Sequence, residues 1–218
     1  MSICLAITDA DWALTKDVFS VIGTVFTAIG VVAAGIYGFL GLKTWRRQNK
    51  GTADHELSRR VLIDLYRLRD CISQVRNPVM LGNEGGSGED DPKDLTFPQK
   101  SHRNMVRAYT NRFAPLAEIR ARLNTALLES EAVWDKELKA RCEAIFKLQH
   151  ELFTYIHFYL VTRNPDEREG RVLSFQAALE KRRDVMYDVP LEGDDEFKKE
   201  LDAALSHVED YLRPKLIR

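Results

Sequence analysis

Residues 18–42 read VFSVIGTVFTAIGVVAAGIYGFLGL, an unbroken run of 25 positions without a charge. As a helix rising about 1.5 Å per residue, the run is about 37 Å long, enough to cross a hydrocarbon core about 30 Å thick with some tilt. Gly23, Thr27, Gly30, Ala34, Gly35 and Gly38 punctuate it. Such residues weaken a helix in water but are ordinary in one surrounded by lipid, which disfavours the buried helix of a soluble protein. A cleaved signal peptide would carry basic residues ahead of a shorter apolar core, whereas positions 1–15 hold only Asp9 and Asp11 as charges. The run predicts one retained transmembrane helix at 18–42.

Its flanks predict orientation. Asp9, Asp11, Lys16 and Asp17 precede it, and Lys43, Arg46, Arg47 and Lys50 follow closely. Basic residues beside a span are retained on the cytoplasmic side. A short N-terminus at 1–17 is therefore expected outside, with 43–218 inside a bacterial inner membrane. Tyr37 and Trp45 fall at the inner border, where amphipathic rings favour the headgroup zone. The juxtamembrane cations Lys43, Arg46, Arg47 and Lys50 also suit anionic headgroups, making membrane lipids an expected partner. Within the run, Gly23, Thr27, Gly30, Ala34 and Gly41 recur at steps of 4, 3, 4 and 7. Gly30, Ala34 and Gly38 satisfy small-xxx-small spacing, which lets helix backbones approach closely in lipid. Gly23, Thr27, Gly30, Ala34 and Gly38 are thus the candidate association face of a homo-oligomer formed through the span.

The remaining chain is water-soluble in character and long enough for one ordinary domain. The net charge of −1 gives no bulk electrostatic case for a nucleic-acid partner. Cys4, Cys71 and Cys142 are widely separated and form no CxxC pair, so neither a disulfide framework nor a zinc knuckle is indicated.

Periodicity predicts an all-α domain. Leu57, Val61, Leu65, Leu68, Ile72 and Val75 recur at steps of 3 and 4, one face of a helix capped by Thr52 or Asp54 and ending near Asn77-Pro78. A flexible acidic and glycine-rich loop is expected at 82–95. Thr96 and Gln99 have capping-box spacing, and Val106, Tyr109, Phe113, Leu116, Ile119, Leu123 and Leu127 continue that helix, with Pro115 expected to kink or split it. A fourth helix is read from about Val133 to Thr162 and is expected at the bundle's centre. Asn164-Pro165-Asp166-Glu167 signals a further helix, starting there or at Arg171 and running to about Tyr187. The last is expected to be capped by Asp194 and to stop before Pro214. A single membrane helix followed by a bundle of about five helices is the predicted architecture.

Chemistry-bearing motifs are sparse. His150 and His157 are seven apart, about 10 Å by helical rise and too far to share one ion; His150-Glu151 lacks the second histidine of an H-E-x-x-H zinc helix. No arginine is followed after four to six residues by histidine, the signature of small helical-bundle ribonucleases. Walker-type, G-x-G-x-x-G and G-x-S-x-G motifs are missing. Arg120 with Arg122, and Lys181-Arg182-Arg183, could grip a phosphate but read more simply as solvated helix faces. No catalytic residue, cofactor or metal ligand is therefore assigned.

Gly41-Leu42-Lys43-Thr44-Trp45-Arg46-Arg47-Gln48, and the helix that follows up to about Pro78, resembles a group of uncharacterised bacterial single-span membrane proteins with a helical cytosolic domain. The resemblance implies an inner-membrane protein and supplies no activity or site residues. The expected function is a non-catalytic interaction or signalling module that binds a cytosolic protein partner. The alternatives are a membrane-disrupting effector, for example in phage defence, and, less favoured, a metal-dependent hydrolase.

Overall fold

A computed structural model of the chain describes residues 9–81, 84–86, 91, 92, 94–188 and 195–216, with side chains from residue 16 onward. Residues 1–8 of the expected outer N-terminus, Cys4 among them, half of the acidic connection and the expected cap Asp194 lie outside the described residues. Those described form five helices and no strand: α1 (Asp9–Val75), α2 (Phe97–Val133), α3 (Glu137–Thr162), α4 (Glu169–Glu180) and α5 (Glu196–Leu216). The all-α reading therefore stands for the described chain. Two units are distinguished, Met1–Ala53 and Asp54–Arg218.

In the first unit the apolar run is helical throughout and none of its most apolar window is buried. The second unit contains the core. Val61, Leu65, Leu68 and Ile72 of α1, Leu123 of α2, and Leu138, Ile145, Leu152 and Ile156 of α3 are essentially inaccessible, as are Val208 and Leu212 of α5. Each set repeats at helical spacing, so each helix turns one apolar stripe inward. α3 packs against α2, α4 and α5, the central position its apolar composition predicts.

Several boundaries differ from the sequence reading. Thr52 and Asp54 are not caps: both lie inside α1, where Thr52 Oγ1 donates back to the Gln48 carbonyl at 3.0 Å. Asp54 is buried and accepts from Trp134 Nε1 at 2.7 Å. Pro115 does not end α2, which continues to Val133 because 116–133 contains no further breaker. Trp134 therefore belongs to the α2–α3 turn, and α3 begins at Glu137.

Asn164 makes a local turn, its Oδ1 accepting the Asp166 N–H at 3.1 Å, and α4 starts five residues later. That helix stops at Glu180, short of Tyr187, so that Val185 and Met186 enter the core from non-helical chain. Asp195 caps α5, accepting the Lys198 N–H at 3.0 Å. Pro214 sits in the last turn of α5, where its missing N–H costs only one terminal hydrogen bond.

Buried and half-buried arginines fasten the connections. Arg76 donates from Nε to the Val185 carbonyl, from Nη2 to the Tyr187 carbonyl and from Nη1 to Asp195, at 2.9, 2.9 and 2.8 Å. Arg112 gathers the Asn77 and Val79 carbonyls and Glu84, while Arg107 binds the Gly86 carbonyl and Asp91. The described parts of the acidic connection are thus tied to α2. Gly85 is needed there, since a Cβ would come within 2.5 Å of the Asn104 carbonyl oxygen.

Candidate functional site

Phe19, Phe26, Ile29, Val31 and Val32 point in successive directions around the first part of α1, and each is at least 60% exposed. The core helix of a globular domain would hide one face of such a set. Cβ atoms built on Gly23, Gly30, Gly35 or Gly38 would meet nothing within 4 Å, so the small-residue face is uncovered in the single chain. Thr24 and Thr27 donate their hydroxyls to the Ser20 and Gly23 carbonyls at 2.9 and 2.8 Å. Both side chains are satisfied inside their own helix and need no water, a property suited to an apolar surrounding.

Lys43, Arg46, Arg47 and Lys50 are all exposed, and none pairs with a carboxylate among the described residues. The arginines of the second unit behave differently. Arg60, Arg76, Arg107, Arg112, Arg122 and Arg183 each meet an Asp or Glu. Of the suggested phosphate grips, Arg122 is therefore already engaged by Asp64, and Arg183 by Glu151 and Glu200. The Arg183 hydrogen bonds hold the Glu200 carboxyl below the usual range. Arg182 lies over the Phe158 ring.

The histidines do not converge. His102 Nε2 lies 2.9 Å from the Leu160 carbonyl oxygen, and His157 stacks on Phe153 with Phe158 and Phe175 nearby. Among the described residues no three His, Cys, Asp or Glu side chains are grouped so as to hold a metal ion.

Arg120 stands apart from its cationic neighbours. It lies between α2 and α3, with its guanidinium carbon 3.2 Å from the centre of the Phe146 ring. Nη1 donates to Gln149 Oε1 at 3.0 Å, whereas Nε is buried without a partner among the described residues. It forms no ion pair among the described residues, and burial pulls its pKa below the usual guanidinium value. Beside it runs an open groove of about 420 Å³ walled by Phe113, Leu116, Phe146 and Phe153, with Gln149 and His150 on the rim. A buried donor left unpaired costs about 1–3 kcal/mol. Opposite it, burial pushes the Cys142 thiol up to about 12, which leaves it protonated and chemically quiet.

Sequence reasoning named Arg120 but missed the groove. The signal was present only as helical spacing, with Phe113, Leu116 and Arg120 along α2 and Phe146, Gln149 and Phe153 along α3. Only the pairing of the two helices brings them together. Comparisons with protein-family models, with curated proteins and with solved structures find no match.

Proposed function

We propose that this chain is a membrane-anchored helical interaction module, with 18–42 crossing a bacterial inner membrane once and the helical bundle on the cytoplasmic side. The observation that carries the reading is the contrast at one helix end: 25 uncharged residues with no buried apolar window, followed by four cations without a carboxylate partner among the described residues. Exposed apolar area on this scale is removed from water by lipid at roughly 25 cal/mol per Å². The free cations match an anionic headgroup layer. Self-association through Gly23, Thr27, Gly30, Ala34 and Gly38 is part of the same proposal, because that face is uncovered in the single chain.

The test is membrane fractionation of cells expressing the full chain, followed by alkaline carbonate extraction and labelling with a membrane-impermeant maleimide. The chain is expected to stay with the carbonate-washed membranes. Cys4 should react from outside, Cys71 should react only once the bilayer is opened, and the buried Cys142 should react only after the bundle is also unfolded. Release by carbonate, or labelling of the bundle cysteines in intact cells, would overturn the proposal.

A further inference from the structure

From the α2–α3 groove we infer that the bundle binds a small organic carboxylate with an apolar, preferably aromatic, body, its carboxylate meeting Arg120 and its body lying on Phe113, Phe146 and Phe153. The inference goes beyond the membrane reading and stands whether or not the chain crosses a bilayer. Three observations lead to it. Arg120 forms no ion pair among the described residues, although every carboxylate-paired arginine named above lies on the same bundle. Its Nε is buried and unpartnered, and only Nη1 is occupied, by Gln149. Nε and Nη2 form the edge that takes a carboxylate through two parallel hydrogen bonds, Nη2 directly from the groove and Nε after a small shift of the guanidinium, since Nε is closed to solvent in the unliganded chain.

The surroundings specify the remainder of the ligand. Phe146 already covers one guanidinium face, which fixes the plane of the fork. Phe113 and Phe153 meet edge-on with ring centres 5.4 Å apart, giving a rigid apolar wall beside it. A groove of about 420 Å³ is within the range of small-molecule sites, which combine apolar walls with few polar anchors. A single unpaired cation favours a monoanion, since a phosphate monoester would bring a second charge with no partner. Inorganic anions would leave the phenylalanine wall unused.

The full chain in lipid nanodiscs is titrated calorimetrically with 3-phenylpropanoate, using empty nanodiscs as the blank. Acetate and 3-phenylpropanamide serve as the comparators lacking the body and the charge. Saturable binding at one site per chain is expected, weakened at least about tenfold for either comparator and for Arg120→Gln. Equal binding by an Arg120→Gln variant of unchanged melting temperature overturns the inference. So does the lack of saturable binding for both 3-phenylpropanoate and decanoate. Should Arg120→Gln melt early, Phe153→Ala at an exposed wall position replaces it. A weakening of about fivefold or more then supports the site, and unchanged affinity removes it.

Discussion

Helix α1 contains two stretches with the same backbone conformation and opposite surface economies. Along 18–42 apolar side chains surround the axis, and none of the most apolar window is buried. Along 54–75 most apolar residues share one stripe, where Val61, Leu65, Leu68 and Ile72 are at most 1% exposed, and only Ile63 and Tyr66 stand exposed off it. Charged residues occupy the other faces of that second stretch and pair with partners such as Glu129 and Arg122. The difference shows that the angular distribution of apolar residues, more than their number, decides what a helix requires around it. A stripe requires neighbouring helices, while a full cylinder of apolar groups requires a non-aqueous medium.

The most severe way to break this contrast is to place one carboxylate in each stretch. Leu65→Asp buries an unpaired charge at a site of zero exposure and should cost about 5 kcal/mol or more, unfolding the bundle. Val25→Asp should leave bundle melting within about 0.5 kcal/mol and instead reduce retention in membranes. Circular dichroism and fractionation on the same two variants check both halves. A bundle equally damaged by Val25→Asp would end the distinction.

Arg76→Ala should cost about 3–5 kcal/mol in denaturant titration, since it strands Asp195 and two carbonyls in a largely buried site. The same contact sets an acid limit. Burial raises the Asp195 carboxyl, but Arg76 and the Lys198 N–H outweigh this and hold it below the ordinary carboxylate value. With the folded value depressed, the contribution is complete above the unfolded carboxylate range and is lost as pH falls through the folded one. Asp195→Asn should therefore flatten the acid side of the melting-temperature profile.

A smaller effect is expected at the start of the striped stretch. Trp134→Phe removes the hydrogen bond that Trp134 donates to the buried Asp54 side chain and should cost about 1–3 kcal/mol, read by chemical denaturation. The smallest effect belongs to α4, which contributes no fully buried side chain. A Cβ at Gly170 would meet nothing within 4 Å, so Gly170→Ala should stabilise α4 by up to about 1 kcal/mol. Hydrogen exchange should show α4 opening before α3, with the variant slowing it.

Much of the fold was legible because core positions repeat at 3 and 4. Every residue read onto the inner face of the α1 stretch, from Leu57 to Val75, is buried. Boundaries were less legible where side-chain partners distant in sequence settle the matter. Asp54 reads as a cap until Trp134 is seen to claim its carboxylate. Met186 reads as helical until Arg183 pairs with Glu151 and Glu200, and Asp184 takes the Met186 N–H. The groove beside Arg120 was invisible for the same reason: each wall is ordinary alone, and the unpaired guanidinium is defined by what fails to reach it.

The contacts of Arg76 impose an order of events on synthesis. Its acceptors are Val185, Tyr187 and Asp195, more than a hundred residues further along the chain. A ribosome delivers residues 18–42 long before those acceptors exist, so the hydrophobic stretch emerges while the future bundle is still open. Closure at Arg76 then becomes a late checkpoint, reached only by chains translated through Asp195.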